Sequence, residues 1–253
     1  MSTNTQDHGP WPEGYARVVL DSVDSTMAEA ARRAPDINGP TWIIAKTQTA
    51  ARGRRGRAWV APEGNLNATL IFKPEATAAE AAKRSFLAAN ALYAALAIYV
   101  SSDKLSLKWP NDVLLSGGKV AGILLESSGQ GPFVDWLSIG VGVNLKHTPE
   151  GIADASFAPT SLAAAEGDVI SPLDFLSTLA DAYATQEAKL LRLGFDRIRE
   201  DWLRNAARLG EVITARTGRE DVTGIFDTID KDGNLVLITG TGPRAISAAD
   251  VFF

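Results

Sequence analysis

The 253-residue chain contains no cysteine, only two histidines and only two methionines. Without thiols, disulfides, thiolate metal sites and cysteine nucleophiles are all excluded; this fits a reducing cytoplasm but is compatible with any compartment. His8 and His147 both sit in loop-like surroundings, so a histidine-centred metal site or catalytic triad has nothing to build on. Long apolar runs are also missing. The most apolar stretch, Leu87 to Val100, is interrupted by Asn90 and falls short of the roughly 20 residues a membrane-spanning helix needs. The opening MSTNTQDHGPWPEG is polar and lacks the apolar centre of a secretory leader. Positive charge is in the minority, with 25 Lys and Arg against 30 Asp and Glu. That balance argues against a nucleic-acid coat, which needs positive surface along a long track. What remains is an ordinary globular composition, long enough for one large domain and a small appendage.

Against this acidic background one segment reverses sign. From Lys46 to Pro62 the chain carries five positive charges and no acid, leaving -10 for the remainder. Its centre, ARGRRGRAW, places Arg52, Arg54, Arg55 and Arg57 around Gly53 and Gly56. Glycines let backbone N–H groups approach a ligand and permit unusual dihedrals. Guanidinium groups match carboxylate and phosphate oxygens in a bidentate way. Trp59 is placed to stack on a base or to exclude water. The segment therefore reads as an anion-binding loop that orders on its ligand, as a solvated basic loop, or as a single-strand nucleic-acid contact.

The rest of the chain organises around this loop. Strands are expected at Arg17–Leu20, Thr41–Lys46 and Asn67–Phe72. Thr26 and Glu29 have capping-box spacing before an alanine-rich helix. Ala78–Val100 reads as one long helix. SLKWPNDVLL, KVAGILLESS and DWLSIGVGVNL follow as three β-rich runs. Ser171–Pro172 opens a helix that Gly194 closes. Phe195, Ile198, Trp202, Ala206 and Leu209 form the stripe of a further helix ending at Gly210. Beyond it come only short β-runs, EVITAR, DVTGIFDTI and LVLITG, with a hairpin turn at Lys231–Asn234.

Two further segments carry chemistry. KWPND sets Lys108, Trp109, Asn111 and Asp112 around a rigid turn, and Lys119 opens the apolar run KVAGILLE. Each also has a plain structural reading, as turn punctuation and as an exposed strand end. In Ser138–Asn144, Gly140 and Gly142 interrupt a β-branched run, which marks close approach of a ligand or another backbone. The pattern is neither a dinucleotide fingerprint nor a Walker loop.

Taken in order, RGRRGRAW, KWPNDV with GGKVAGILLE, and IGVGVN resemble the catalytic domain of the biotin protein ligases. DSTM near the front and PTSL at 159–162 extend the match over most of residues 17–209. The segment after Gly210 resembles that family's C-terminal domain. The resemblance implies an α+β fold: a flexible lead over 1–16, a mixed β-sheet with flanking helices over 17–209, and a small SH3-like β-barrel over 210–253. The sheet is of the kind shared with class II aminoacyl-tRNA synthetases. It also implies ATP-dependent joining of biotin to a lysine of a biotin carboxyl carrier protein domain through biotinyl-5'-AMP, with Mg²⁺ accompanying ATP and no tightly held prosthetic group.

By motif position, the resemblance assigns Ser25, Thr26, Gln48, Arg52, Gly122 and Leu124 to biotin. It assigns Arg54, Arg57, Trp59, Asn111 and Asn144 to ATP and its metal, with no protein metal site. Lys119 falls on both ligands and is the expected electrostatic catalyst with Arg54; Asp112 is the candidate acceptor of the lysine's proton. Ser25 and Thr26 also have a helix-capping reading. Family members that also act as repressors carry an N-terminal DNA-binding domain, and only about 16 residues precede the match here, so the expectation is a monofunctional cytoplasmic ligase. Neither DNA nor membrane is an expected partner, and monomer and homodimer both stay open. Ala51 stands where the family's loop has glycine, which puts the loop's first backbone contact in question. A lipoate or octanoate ligase or transferase is the alternative within the fold, and a nucleic-acid module using the arginine loop is the alternative outside it.

Overall fold

The structure, a computed structural model, describes residues 11–60, 62–150, 157–166 and 169–253. Residues 1–10 of the lead expected over 1–16 lie outside the described residues, and the remainder is anchored. Trp11 and Tyr15 pack on the main core, with the Trp11 indole donating to the Tyr15 carbonyl at 2.7 Å.

The first strand, β1 (Ala16–Val23), pairs in parallel with β2 (Thr41–Gln48) across helix α1 (Thr26–Arg33). The strands β3 (Leu66–Phe72), β4 (Leu105–Lys108), β5 (Asp112–Leu115), β6 (Gly118–Ser128) and β7 (Trp136–Val143) add antiparallel. The resulting mixed sheet has the order β1-β2-β3-β7-β6-β5-β4. The run SLKWPNDVLL is thus two strands, not one; the cis Trp109–Pro110 peptide lies in the connection between them.

Because strand side chains alternate, the sheet separates two environments. Trp42, Ile44, Leu70, Ile139 and Val141 enter the main core with α3 (Arg84–Leu96), α5 (Pro172–Leu193) and α6 (Phe195–Arg204). Ile43 and Ile71 point the other way, onto Ala30 and Ala34 of α1. The α1 face therefore also receives Asn67, Thr69, Gly122, Leu124, Gly140 and Gly142, the alternate positions of β3, β6 and β7.

Several sequence expectations need correction. The helix expected over Ala78–Val100 is broken into α2 (Ala78–Ala82) and α3, where the Lys83 N–H bonds three residues back to Glu80 at 3.3 Å. The capping box belongs to Thr77 and Glu80. At α1 the cap is Ser25, whose hydroxyl accepts from the Met27 N–H, while Glu29 turns to Arg32 and Arg33. Helix α6 stops at Arg204, and Ala206 instead pairs with Leu107. A short α4 (Leu162–Glu166) precedes α5, which runs as expected from Pro172 to the Gly194 cap.

The C-terminal segment forms an SH3-like antiparallel sheet of β8 (Val212–Arg216), β9 (Asp221–Ile229), β10 (Leu235–Thr239), β11 (Gly242–Ile246) and β12 (Asp250–Phe252). Its order is β11-β10-β9-β8-β12. It packs on the larger unit through one shared core. Phe226 meets Trp202, and the Trp109 indole donates to the Gly233 carbonyl at 3.1 Å.

Candidate active site

On the α1 face lies a cavity of about 490 Å³. Every residue that motif position singles out lines it: Ser25, Thr26, Gln48, Arg52, Arg54, Arg57, Trp59, Asn111, Asp112, Lys119, Gly122, Leu124 and Asn144. These come from β2, the arginine loop, the β4–β5 turn, β5, β6, Asn144 just beyond the end of β7, and the start of α1, so the cavity is a product of the fold rather than of any one segment.

At the α1 end the polar groups form a small network. Gln48 Oε1 accepts from the Thr26 N–H at 2.7 Å and from its hydroxyl at 3.1 Å. Thr69 donates to Thr26 Oγ1 at 2.8 Å from the neighbouring strand. All three groups are thereby held in one orientation, and among the described residues the Gln48 amide N–H groups have no hydrogen-bond partner. Ser25 serves as the helix cap and lines the cavity as well, so its two sequence readings hold together.

The arginine loop is a tight hairpin in this structure. Gly53 and Arg57 close a hairpin at 2.7 Å, and the Trp59 N–H bonds to the Ala51 carbonyl at 3.1 Å. Arg55 and Gly56 take the left-handed turn, with φ of 56° and 72°. Ala51 is not among the described residues with positive φ, so this hairpin has no need of glycine there. Three of the four arginines face carboxylates. Arg52 meets Glu126 at 2.9 Å, while Arg55 and Arg57 share Asp250 at 2.7 and 3.0 Å. Arg54, the least exposed of the four, donates instead to Asn111 Oδ1 at 3.1 Å; burial lowers its pKa. Asn111 is itself fixed by donating to the Ile123 carbonyl at 2.6 Å.

Trp59 explains one of the two strand glycines. A Cβ at Gly142 would lie 2.5 Å from the indole, and one at Gly140 would lie 2.7 Å from Met27 Sδ. The close approach expected from Gly-Val-Gly is thus made by two side chains, not by another backbone. The same indole lies 5.7 Å, centroid to nitrogen, from the Lys119 ammonium.

Two ammonium groups converge on Asp112. Lys119 Nζ stands 2.7 Å from Oδ1, and Lys108 Nζ stands 3.6 Å from Oδ2. The Lys119 contact is an ion pair off the hydrogen-bonding axis, since Oδ1 accepts no hydrogen bond among the described residues. Lys108 is 5% exposed and lies over the Phe157 ring at 4.5 Å. Burial lowers its pKa, and the attraction of Asp112 offsets part of that. Lys119 remains 30% exposed on the cavity side, free to reach a ligand. Its backbone is pinned on both sides, to Ala158 at 2.9 Å and Thr160 at 3.0 Å. Asn144 braces the same junction by donating to the Thr160 carbonyl at 2.9 Å. A cavity of this kind positions one polar, uncharged group and one or two anions. Among the described residues no group of His, Asp and Glu is arranged to hold a metal ion.

Comparison with known proteins fixes the class. The profile of the Biotin/lipoate A/B protein ligase family matches residues 19–144, and that of the Biotin protein ligase C terminal domain matches residues 209–253. A biotin--[acetyl-CoA-carboxylase] ligase of Paracoccus denitrificans is 48% identical over 93% of this chain and 99% of its own length. The chain belongs to the biotin protein ligase family. A bifunctional ligase/repressor BirA of Bacillus subtilis is 31% identical over 92% of the chain and 71% of its own length. The solved biotin protein ligase from Aquifex aeolicus in complex with biotin and ATP shares the fold, with a TM-score of 0.78 at 24% identity, over 93% of this chain and 97% of that one.

In this member of the family the cavity also includes residues that sequence reasoning does not single out as site residues. Asn67 arrives by strand alternation, Phe157 from the segment before PTSL, and Asp250 from the C-terminal sheet. Alternation along NLNATLIF carries a signal for Asn67. Nothing local marks Phe157 or Asp250, because their contacts span 49 and 195 residues of chain, to Lys108 and to Arg55.

Proposed function

We propose that this biotin protein ligase joins biotin to a lysine of a biotin carboxyl carrier protein domain, through biotinyl-5'-AMP, in the cytoplasm. The observation that carries the reading is the single cavity in which the Thr26–Gln48 polar network, the half-buried Arg54 and the Lys119 ammonium meet. Biotin offers a neutral polar ring and a carboxylate, and ATP offers a triphosphate with its Mg²⁺. Two like unit charges brought to 4 Å repel by about 4 kcal/mol at an effective dielectric of 20, so cations must stand between them.

The chemistry follows in two displacements. A biotin carboxylate oxygen attacks the α-phosphorus of ATP; the new P–O bond forms as the bond to pyrophosphate breaks. Lys119 and Arg54 stabilise the charge gathering on the phosphoryl oxygens. The acceptor lysine's neutral amine then attacks the acyl carbon of biotinyl-AMP. A C–N bond forms, the C–O bond to phosphate breaks, and AMP leaves. Asp112, already oriented by two ammonium groups, takes up the amine's proton. Ser25, Thr26 and Gln48 hold the ureido ring; Gly122 and Leu124 leave room for it. Trp59, Asn111 and Arg57 flank the nucleotide, and Asn144 acts through the Lys119 backbone it braces.

The test is a mixture of protein, Mg²⁺, ATP, labelled biotin and a carrier domain, with each component omitted in turn. Label on the carrier in the complete mixture alone supports the reading; label carried by lipoate or octanoate in place of biotin overturns it.

Two variants probe the loop. Arg52 ties it to β6 through an exposed bidentate pair, worth up to about 1 kcal/mol. Arg52→Ala is therefore expected to release biotinyl-AMP about fivefold faster in a chase experiment; unchanged release removes the tie from the account. Gly142→Ala places a methyl group inside the Trp59 indole and lifts the loop with it. Calorimetry should show biotin binding weakened about tenfold, roughly 1.4 kcal/mol. Gly140→Ala, whose one tight contact is with the pliable Met27 side chain, should show a smaller loss.

A further inference from the structure

We infer that Asn67 is a further substrate-contacting residue, whose side-chain oxygen takes a hydrogen bond from an N–H or O–H donor of a bound substrate. Asn67 lines the cavity and is 2% exposed. Its amide nitrogen reaches the Asn65 carbonyl at 3.5 Å, the limit of a hydrogen bond, and its Oδ1 has no partner among the described residues. Buried carboxamides are ordinarily matched, so an idle acceptor in a cavity wall calls for a donor from outside the chain. Unmatched buried side-chain atoms also occur on Trp42, Asn90, Gln186, Arg199 and Asp112. Of these five residues, Asp112 alone joins Asn67 in the cavity lining.

Strand register puts Asn67 and Asp112 at opposite ends of one row. Asn67 stands opposite Gly142, Gly142 opposite Gly122, and Gly122 opposite Asp112. With neighbouring strands about 4.8 Å apart, this row across β3, β7, β6 and β5 spans about 14 Å. Its middle is glycine, and side chains from elsewhere lie over it. A Cβ at Gly142 would lie 2.5 Å from the Trp59 indole, and one at Gly122 would lie 3.3 Å from Lys119 Cε. The adjacent row, Thr69, Gly140 and Leu124, carries the threonine of the Thr26–Gln48 network. Asn67 therefore sits two residues, about 7 Å, along β3 from Thr69. On its other side Asn65 reaches Asn144 at 3.5 Å. The side chain lies between the uncharged polar end of the cavity and the end that carries Asn144.

Hydrogen-bond direction at the polar end shows what is missing there. The Thr26 N–H can only donate, so Gln48 Oε1 is the acceptor and takes the Thr26 hydroxyl hydrogen as well. Thr69 must then donate to Thr26. Both lone pairs of Gln48 Oε1 are thereby filled, and what Gln48 presents is its pair of amide N–H groups. A cyclic urea brings one carbonyl and two N–H groups. Gln48 matches the carbonyl, and the N–H groups still need acceptors; Asn67 Oδ1 supplies one. The ribose hydroxyls of ATP are the second source of the same donor chemistry. The identity of these substrates rests on the proposed function; the unmatched oxygen does not.

The test compares the parent with Asn67→Leu and Asn67→Ala, which remove the acceptor at similar and at smaller size. Calorimetry measures biotin and its ureido-N-methyl derivatives, steady-state kinetics measure KM for Mg²⁺-ATP and for 2'- and 3'-deoxy-ATP, and the thermal midpoint is followed throughout. Loss of one buried hydrogen bond is expected to weaken biotin about tenfold, with KM for ATP within twofold and the midpoint held. Methylation of the ureido nitrogen should then cost the variants less than it costs the parent. If the ribose is the donor, KM for ATP rises about tenfold instead, biotin binding is unchanged, and a deoxy-ATP loses its penalty in the variants. Both substrates bound as by the parent overturns the inference. So does an equal loss for both with a lowered midpoint, which would make Asn67 a fold residue. A parent that takes no biotin counts against the proposed function, and the ATP arm then decides Asn67 by itself.

Discussion

Lys119→Ala is expected to lower the rate of adenylate formation about 10²- to 10³-fold while the protein stays folded. Removing one preorganised donor from a site where charge develops typically costs that much, about 2.7–4 kcal/mol. Lys119 meets the requirements for such a donor. Its backbone is clamped at Ala158 and Thr160, its ammonium reaches the cavity, and Asp112 holds it in place at 2.7 Å without burying it. The side chain supports little of the core, so the unfolding midpoint should move only slightly. Lys108 does not substitute, because it is buried against Phe157 and directed at the far oxygen of Asp112. Single-turnover formation of biotinyl-AMP checks the prediction. A variant within a few-fold of the parent removes Lys119 from the chemistry.

Arg54→Ala is expected to lower kcat/KM for ATP about 100-fold, roughly 2.7 kcal/mol of transition-state stabilisation. Among the loop arginines Arg54 is the one that is not exposed. Burial already lowers its pKa, so its charge is held in a partly desolvated place where an incoming phosphate would be strongly attracted. Asn111 fixes the guanidinium and is itself tied to β6, so the group is preorganised rather than searching. Its removal also leaves Asn111 Oδ1 without its partner. Initial rates against ATP, at saturating biotin, decide the matter; a kcat/KM within threefold of the parent contradicts the role.

How far the sequence foretells this site depends on the range of the contacts involved. The arginine cluster, KWPND and Lys119 are legible because each is a dense run of unusual residues, and all of them reach one cavity. The capping box assigned to Thr26 and Glu29 shows the limit of spacing alone. The helix is capped one residue earlier, by Ser25; the Thr26 N–H that such a box would use donates to Gln48 Oε1, and Glu29 turns to Arg32 and Arg33. The long helix over Ala78–Val100 fails for a related reason: apolar composition does not register the tight turn at Lys83 between two helices that share one core. Strands β11 and β12 are too short and too polar for alternation to reveal, and Asp250 sits on one of them. Its effect on Arg55 and Arg57 exists only after the two units pack. The glycines of IGVGVN mark a close approach, as read, but only the fold shows that Met27 and Trp59 make it.

The central claim is that this cavity activates biotin as an adenylate, and biotin-dependent exchange of labelled pyrophosphate into ATP tests it without any carrier protein. The account predicts rapid exchange with biotin, none without an added acid, and exchange lowered by two to three orders of magnitude in Lys119→Ala. Exchange driven equally by lipoate or octanoate, or proceeding with no acid at all, would contradict it.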